Sequence, residues 1–244
     1  MENALVINAL SKKYPSFELK NVSFTVKTGE VMGFVGRNGA GKTTTLKSVL
    51  NLVHPDSGTV EILGMGFSDN EDRIKQQTGY AVGGIGCYRR KKLRDLIAVT
   101  SMFYENWDTD ECRHYMNAFR LDENKRMIDL SEGMKVKFYL TMALSHHAKL
   151  LILDEPTSGL DPVSRDELCA IFTKLSAKGV AILFSTHITS DLDKCADSIT
   201  YIKDGSILAS QKKEDLIRSY EKELGKVPTL EEIMVHIEKE EVEL

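Results

Sequence analysis

Gly36-Arg37-Asn38-Gly39-Ala40-Gly41-Lys42-Thr43 decides the reading of this chain. The spacing is G-x-x-x-x-G-K-T, between the apolar run Val31–Val35 and a helix predicted to start near Thr44. Glycines at such positions let successive backbone N–H groups turn inward around phosphate oxygens, and a helix N-terminus adds partial positive charge. Strand, loop and helix in that order are the context in which this spacing marks a phosphate-binding loop. Gly36, Asn38, Gly39, Ala40, Gly41, Lys42, Thr43 and Thr44 are the candidate nucleotide-binding residues. The motif's mechanics put Lys42 on the β- and γ-phosphates of a nucleotide and the Thr43 hydroxyl on Mg²⁺.

Two further apolar runs, Leu150–Leu153 and Val180–Phe184, have the same character as Val31–Val35. All three are apolar on both parities, the signature of strands buried on both faces of a parallel sheet. Each gives way at once to small or polar residues: Gly36 onward, Asp154-Glu155, and Ser185-Thr186-His187. Ligands of open α/β sheets sit beyond the carboxyl ends of strands, so the three runs are expected to deliver these groups to one edge. Asp154 suits the Mg²⁺ shell, and Glu155 is placed to orient the attacking water or take its proton.

Outside these runs the patterns are weaker. Val22–Val26 and Thr59–Leu63 alternate, predicting a small antiparallel layer beside the main sheet. The stretch from Leu93 to Ala148 lacks strand signals and reads as mostly helical, and Asp204-Gly205 reads as a hairpin turn. The tail from Thr229 reads as an acidic helix with Leu230, Ile233, Met234 and Ile237 on one face. The 244 residues suffice for one sizeable domain or two small ones, and 42% are apolar. A net charge of −4 gives no global reason to expect a nucleic-acid partner. Cys87, Cys112, Cys169 and Cys195 form no C-x-x-C pair and suit a reducing cytosol. No apolar h-region lies between Met1 and Lys13, so a secretory signal is not expected. No window approaches 18 consecutive apolar residues, so any work at a membrane is expected to go through a partner.

With these motifs in hand, the chain resembles the ABC (ATP-binding cassette) ATPases over nearly its whole length. Pro156-Thr157-Ser158-Gly159-Leu160-Asp161 is similar to the family's D-loop, and Leu130-Ser131-Glu132-Gly133-Met134 resembles its LSGGQ signature. Ser185-Thr186-His187 resembles the segment of the switch histidine, and Tyr14 sits where the family has an aromatic that stacks on adenine. Ser131 also reads as the N-cap of a helix carrying Val136, Tyr139, Leu140, Ala143 and Leu144. The spacing of 112 from Lys42 to Asp154 suits a helical subdomain between the two nucleotide motifs.

The resemblance implies an α/β fold: a P-loop NTPase core with a mostly parallel sheet, an antiparallel β layer and an inserted helical subdomain. It implies an ATPase domain over residues 1–218, with the subdomain at about 84–147, and a helical tail over 219–244. Glu155, His187 and Lys42 become the catalytic set, with ATP and Mg²⁺ as cofactors. Ser131 and Gly133 would meet the γ-phosphate held by an opposite subunit, which makes the working unit a homo- or heterodimer. The implied partner is a transmembrane permease, with the chain peripheral on the cytoplasmic face of the membrane.

Glu132 and Met134 depart from the signature in the manner of ABC-2 type cassettes, which points to export. Gly83 stands where the family places the Q-loop glutamine. A soluble ABC-type ATPase acting on a ribosome or nucleic-acid machine is the alternative. The chain has one cassette where the ribosomal type usually has two, and no sustained heptads of the DNA-repair type. Arg89, Arg90, Lys91, Lys92 and Arg94 crowd five positive charges into six positions. They read either as a solvated face or as a docking segment.

Overall fold

Val31–Val35, Leu150–Asp154 and Ala181–Thr186 are fully buried strands lying side by side in one parallel sheet. The computed structural model describes residues 2–82 and 88–239; Gly83 and Cys87, named above, lie outside the described residues. In chain order the first elements are β1 (Asn3–Tyr14), β2 (Phe17–Lys27), β3 (Val31–Val35), α1 (Lys42–Val49), β4 (Ser57–Ile62) and β5 (Met65–Gly66). Then come α2 (Phe67–Gln77), β6 (Thr78–Val82), α3 (Leu93–Ser101), α4 (Thr109–Ala118) and α5 (Glu132–Ser145). The second half runs β7 (Leu150–Asp154), α6 (Pro162–Ala177), β8 (Ala181–Thr186), α7 (Thr189–Cys195), β9 (Ser198–Lys203), β10 (Ser206–Lys212), α8 (Lys213–Leu224) and α9 (Leu230–Lys239).

The large sheet has the order β10-β9-β3-β8-β7-β6, parallel throughout except for the β9–β10 hairpin at its edge. The second sheet, β2-β1-β4-β5, is antiparallel, as the alternating pieces predicted. Alternation within the buried strands assigns the two faces of the large sheet. Met32, Phe34, Ile152 and Leu183 pack with Leu5, Ile7, Leu19 and Phe24 of the antiparallel layer and with Leu46 and Val49 of α1. Val31, Val35, Leu153 and Phe184 face the other way, onto Leu140 of α5, Phe172 of α6, Leu192 of α7 and Ile233 of α9. Between β6 and β7 the helices form an apolar cluster of their own, with Leu93, Cys112, Met116, Met127, Leu130 and Phe138.

Two local devices fix the edge where the strands end. The β9–β10 turn is Asp204-Gly205 with φ +46° and +76°, the left-handed pair that a tight two-residue hairpin requires. Its backbone is shared: Gly205 N–H donates to Ala40 O at 3.1 Å, and Gly205 O accepts from Lys20 N–H at 2.7 Å. A Cβ on Gly205 would lie 1.8 Å from Glu18 O, so only glycine fits. Asp161 caps α6, accepting from Val163 N–H at 3.0 Å and Ser164 N–H at 3.1 Å, with Pro162 in the first turn.

Candidate functional site

The loop after β3 is shaped for an anion. Gly41, at φ +112°, is the N-cap of α1, and no side chain caps the helix. The helix therefore starts at Lys42, two residues earlier than its sequence suggested, because the left-handed glycine turns the chain into it at once. A Cβ on Gly41 would come within 2.8 Å of the Phe17 ring and 2.6 Å of Leu19, so the loop is pressed against β2. The first-turn N–H groups of α1 meet no capping side chain and no acidic residue, as a phosphate-binding helix start requires. Lys42 is 5% exposed, and its Nζ donates to Gly36 O at 2.7 Å and Arg37 O at 3.2 Å. A buried ammonium held mainly by loop carbonyls is a cation waiting for an anion in the same loop.

Opposite stands the end of β7. Asp154 is 4% exposed and accepts from Ser185 Oγ at 2.6 Å. The same Ser185 hydroxyl accepts from Glu155 N–H at 2.9 Å. Parallel register produces this bridge, since Asp154 and Ser185 are paired across β7 and β8. Glu155 adopts φ +51°, a strained conformation for a residue with a Cβ. Its two oxygens are divided: Oε2 lies 2.9 Å from His187 Nδ1, and Oε1 lies 3.5 Å from Lys42 Nζ. Lys42, Asp154, Glu155 and His187 thus come from three different strand ends to one place.

The other expected residues take up separate stations. Thr43 is exposed at the helix start, and Thr44 is half-buried beside it. Tyr14 is 37% exposed at the turn end of the β1–β2 hairpin, paired with Phe17, whose ring borders Gly41. Ser131 caps α5 by accepting from Met134 N–H at 3.3 Å. Gly133 sits against Leu160 and Ser164, and among the described residues neither Ser131 nor Gly133 hydrogen-bonds the phosphate loop. Sequence reasoning missed the bridging role of Ser185 and the packing of Phe17 on the loop. The first depends on the register between β7 and β8, the second on how the two sheets stack.

The donor set fits a nucleotide with a hard divalent cation. Thr43 and Asp154 offer oxygen ligands, the type Mg²⁺ takes, and phosphate oxygens would complete the shell. Among the described residues no cluster of three or more His, Cys, Asp or Glu side chains forms a metal site of its own. No helix is long and apolar enough to cross a membrane among the residues described.

Comparison with known proteins agrees with this geometry. The ABC transporter family model matches residues 19–158. The bacitracin transport ATP-binding protein BcrA of Bacillus licheniformis is 32% identical over 212 residues, covering 85% of this chain and 69% of the relative. The Nod factor export ATP-binding protein I of Burkholderia orbicola (strain AU 1054) is 33% identical over 207 residues, covering 82% and 68%. A solved ATP-binding subunit of an ABC transporter superposes with a TM-score of 0.85 at 28% identity, covering 97% of this chain and 100% of that one. With an empty-capped phosphate loop, an acidic strand end and matches of this extent, the chain belongs to the ABC transporter family, as an ATP-binding and ATP-hydrolysing transport subunit.

Proposed function

We propose that this subunit powers export, hydrolysing ATP on a dimer that sits at the cytoplasmic face of a membrane against a transmembrane permease. The name of one relative, a Nod factor export ATP-binding protein, supports export as the direction. The observation that carries the chemistry is the division of the Glu155 carboxylate between His187 and Lys42.

In this reading the phosphates take Lys42 from the Gly36 and Arg37 carbonyls and from Glu155. Glu155 is then free to accept the proton of the attacking water, while His187 holds the other carboxylate oxygen in place. Thr43 and Asp154 would hold Mg²⁺, which supplies charge neutralisation on the phosphates when bound. Tyr14 offers its ring to the base. Ser131 and Gly133 serve the nucleotide of the opposite subunit, in keeping with their distance from this chain's own loop hydrogen bonds. The helices with their own apolar cluster form the inserted subdomain, for which we keep the bounds 84–147. They carry the docking face: Tyr88, Val99, Met102 and Phe103 are exposed there beside the basic run Arg89–Arg94.

The test is steady-state turnover beside nucleotide binding. Glu155→Gln should lose turnover by about a hundred-fold or more, a barrier change of roughly 3 kcal/mol. It should keep ATP affinity and accumulate an ATP-bound dimer on size exclusion. Lys42→Ala should instead weaken ATP binding. Wild-type turnover in Glu155→Gln would remove the base from this carboxylate.

A further inference from the structure

Two helices follow the strand ends of the site, and an ion pair between a half-buried arginine and a buried aspartate joins them. Pro162, at the start of α6, follows Glu155 by seven positions, and Thr189, at the start of α7, follows His187 by two. Asp191, in the first turn of α7, is wholly buried, at 0% exposed. Arg165 of α6 brings Nε to 3.1 Å from Asp191 Oδ1. Its Nη2 donates to Ser190 Oγ at 2.8 Å, so one guanidinium holds two successive residues of that turn.

Stability alone does not explain the pair. The Nε–Oδ1 approach is close but off line, and neither Asp191 carboxylate oxygen nor Arg165 Nε has a well-aligned hydrogen bond. A carboxylate taken out of water on those terms is costly, and apolar side chains of similar size would pack the same space at less cost. What the pair supplies is position. The Asp191 carbonyl is held as well, accepting the Cys195 thiol at 3.2 Å and the Cys169 thiol at 3.8 Å. Asp191 N–H donates to Ile188 O at 3.3 Å, and Ile188 N–H to Thr186 Oγ1 at 3.0 Å. The turn so fixed carries His187, whose Nδ1 lies 2.9 Å from Glu155 Oε2.

We propose that Arg165 and Asp191 are positioning residues for hydrolysis, an ion pair on a buried carboxylate that ties the His187 segment to the helix following Glu155 and so keeps the imidazole beside the carboxylate. The proposal rests on the ATPase reading above. Small misplacements of a catalytic group cost rate far more than binding, so loss of the pair should appear in kcat.

The experiment uses the full chain and measures kcat, KM for MgATP, affinity for a non-hydrolysable ATP analogue, and thermal melting. Asp191→Asn keeps the shape and removes the charge. It should lower kcat by about ten-fold or more with KM and analogue affinity within about two-fold. Arg165→Gln should do the same, and Arg165→Lys should recover part of the loss. In single-turnover assays on a His187→Ala background, Asp191→Asn should change the rate by less than about two-fold, since the group it positions is gone. A folded Asp191→Asn chain with wild-type kcat would overturn the proposal. So would an equal fold-loss with and without His187. Should Asp191→Asn fail to melt cooperatively, the Arg165 pair of variants decides, and full kcat in Arg165→Gln overturns it. If Glu155→Gln itself turns over like wild type, the assignment of the base to Glu155 fails instead, and absence of ATP turnover in the wild-type chain removes the ATPase reading; both are separate results.

Discussion

Glu155 combines a left-handed backbone, φ +51°, with the role of general base proposed above. Holding a residue with a Cβ there costs about 1 kcal/mol, which neighbouring contacts must offset. Ser185 makes that contact, accepting from Glu155 N–H and donating to Asp154. Ser185→Ala removes both bonds at once and leaves a buried carboxylate short of a donor. Its kcat should fall by about ten-fold or more, each 1.4 kcal/mol being a factor of ten, with ATP affinity little changed. Steady-state kinetics beside a binding titration check this, and a matched loss in binding would show a general collapse of the site. Lys42, Asp154, Glu155 and His187 were each legible in the sequence because their motifs encode the chemistry. Ser185 stood in the same quoted run without a role, because its role exists only across the β7–β8 register.

At the level of elements, buried strands were legible where sequence alternation fails on both parities, as in β3, β7 and β8. β6 was not read as a strand. Its Gly79 breaks the apolar run for a reason outside the strand: a Cβ there would lie 2.4 Å from Ala143 of α5 and 2.7 Å from Leu151. β1 is obscured by Ala9 at φ +48°, within a stretch where its pairing with β2 shifts. The C-terminal end of α5 carries a pH dependence that no motif announces. His146 is 3% exposed, stacks on Tyr104 at 3.7 Å between centroids, and donates from Nδ1 to Gln76 O at 3.0 Å. Burial pushes its pKa down from 6.5 to about 4. The native state thus resists a proton that the unfolded chain accepts. Stability is full above the unfolded value and declines as pH falls from 6.5 toward about 4, by on the order of 2 kcal/mol. His146→Phe keeps a ring on Tyr104 and should flatten this part of the stability–pH curve in urea melts. It should also lower stability near neutrality, through the lost hydrogen bond.

For the whole molecule, the two-layer core was legible, and so was the apolar face of α9. Where α9 docks was not, because its partners are far away in sequence. Leu230, Ile233 and Ile237 are 2%, 1% and 5% exposed within the cluster that also holds Val35 and Phe184. Glu238 accepts from Tyr201 OH at 2.6 Å and lies 3.5 Å from Arg37 Nη1 of the phosphate loop. Deleting residues 229–244 uncovers that cluster. Three buried aliphatic side chains are worth about 5 kcal/mol, so the melting temperature should drop by roughly 10 °C or more. An unchanged melt would show that α9 is an appendage. On the opposite flank, Arg89, Arg90 and Lys91 are exposed with no carboxylate partner among the described residues. Reversing all three should weaken co-purification with the permease and spare ATP binding, since each basic group near an anionic surface contributes about 1 kcal/mol. Undiminished co-purification would make the run a solvated face.

The Gly205 turn has a mechanical meaning. One residue's neighbours are the phosphate loop, through Ala40, and the antiparallel layer, through Lys20, with no room for even a methyl group beside Glu18. The turn works as a rivet between the phosphate loop and the antiparallel layer. In the reading proposed above, movement set off at the phosphates is resisted on that flank and passes instead through the strand ends of Glu155 and His187 and the helices that follow them.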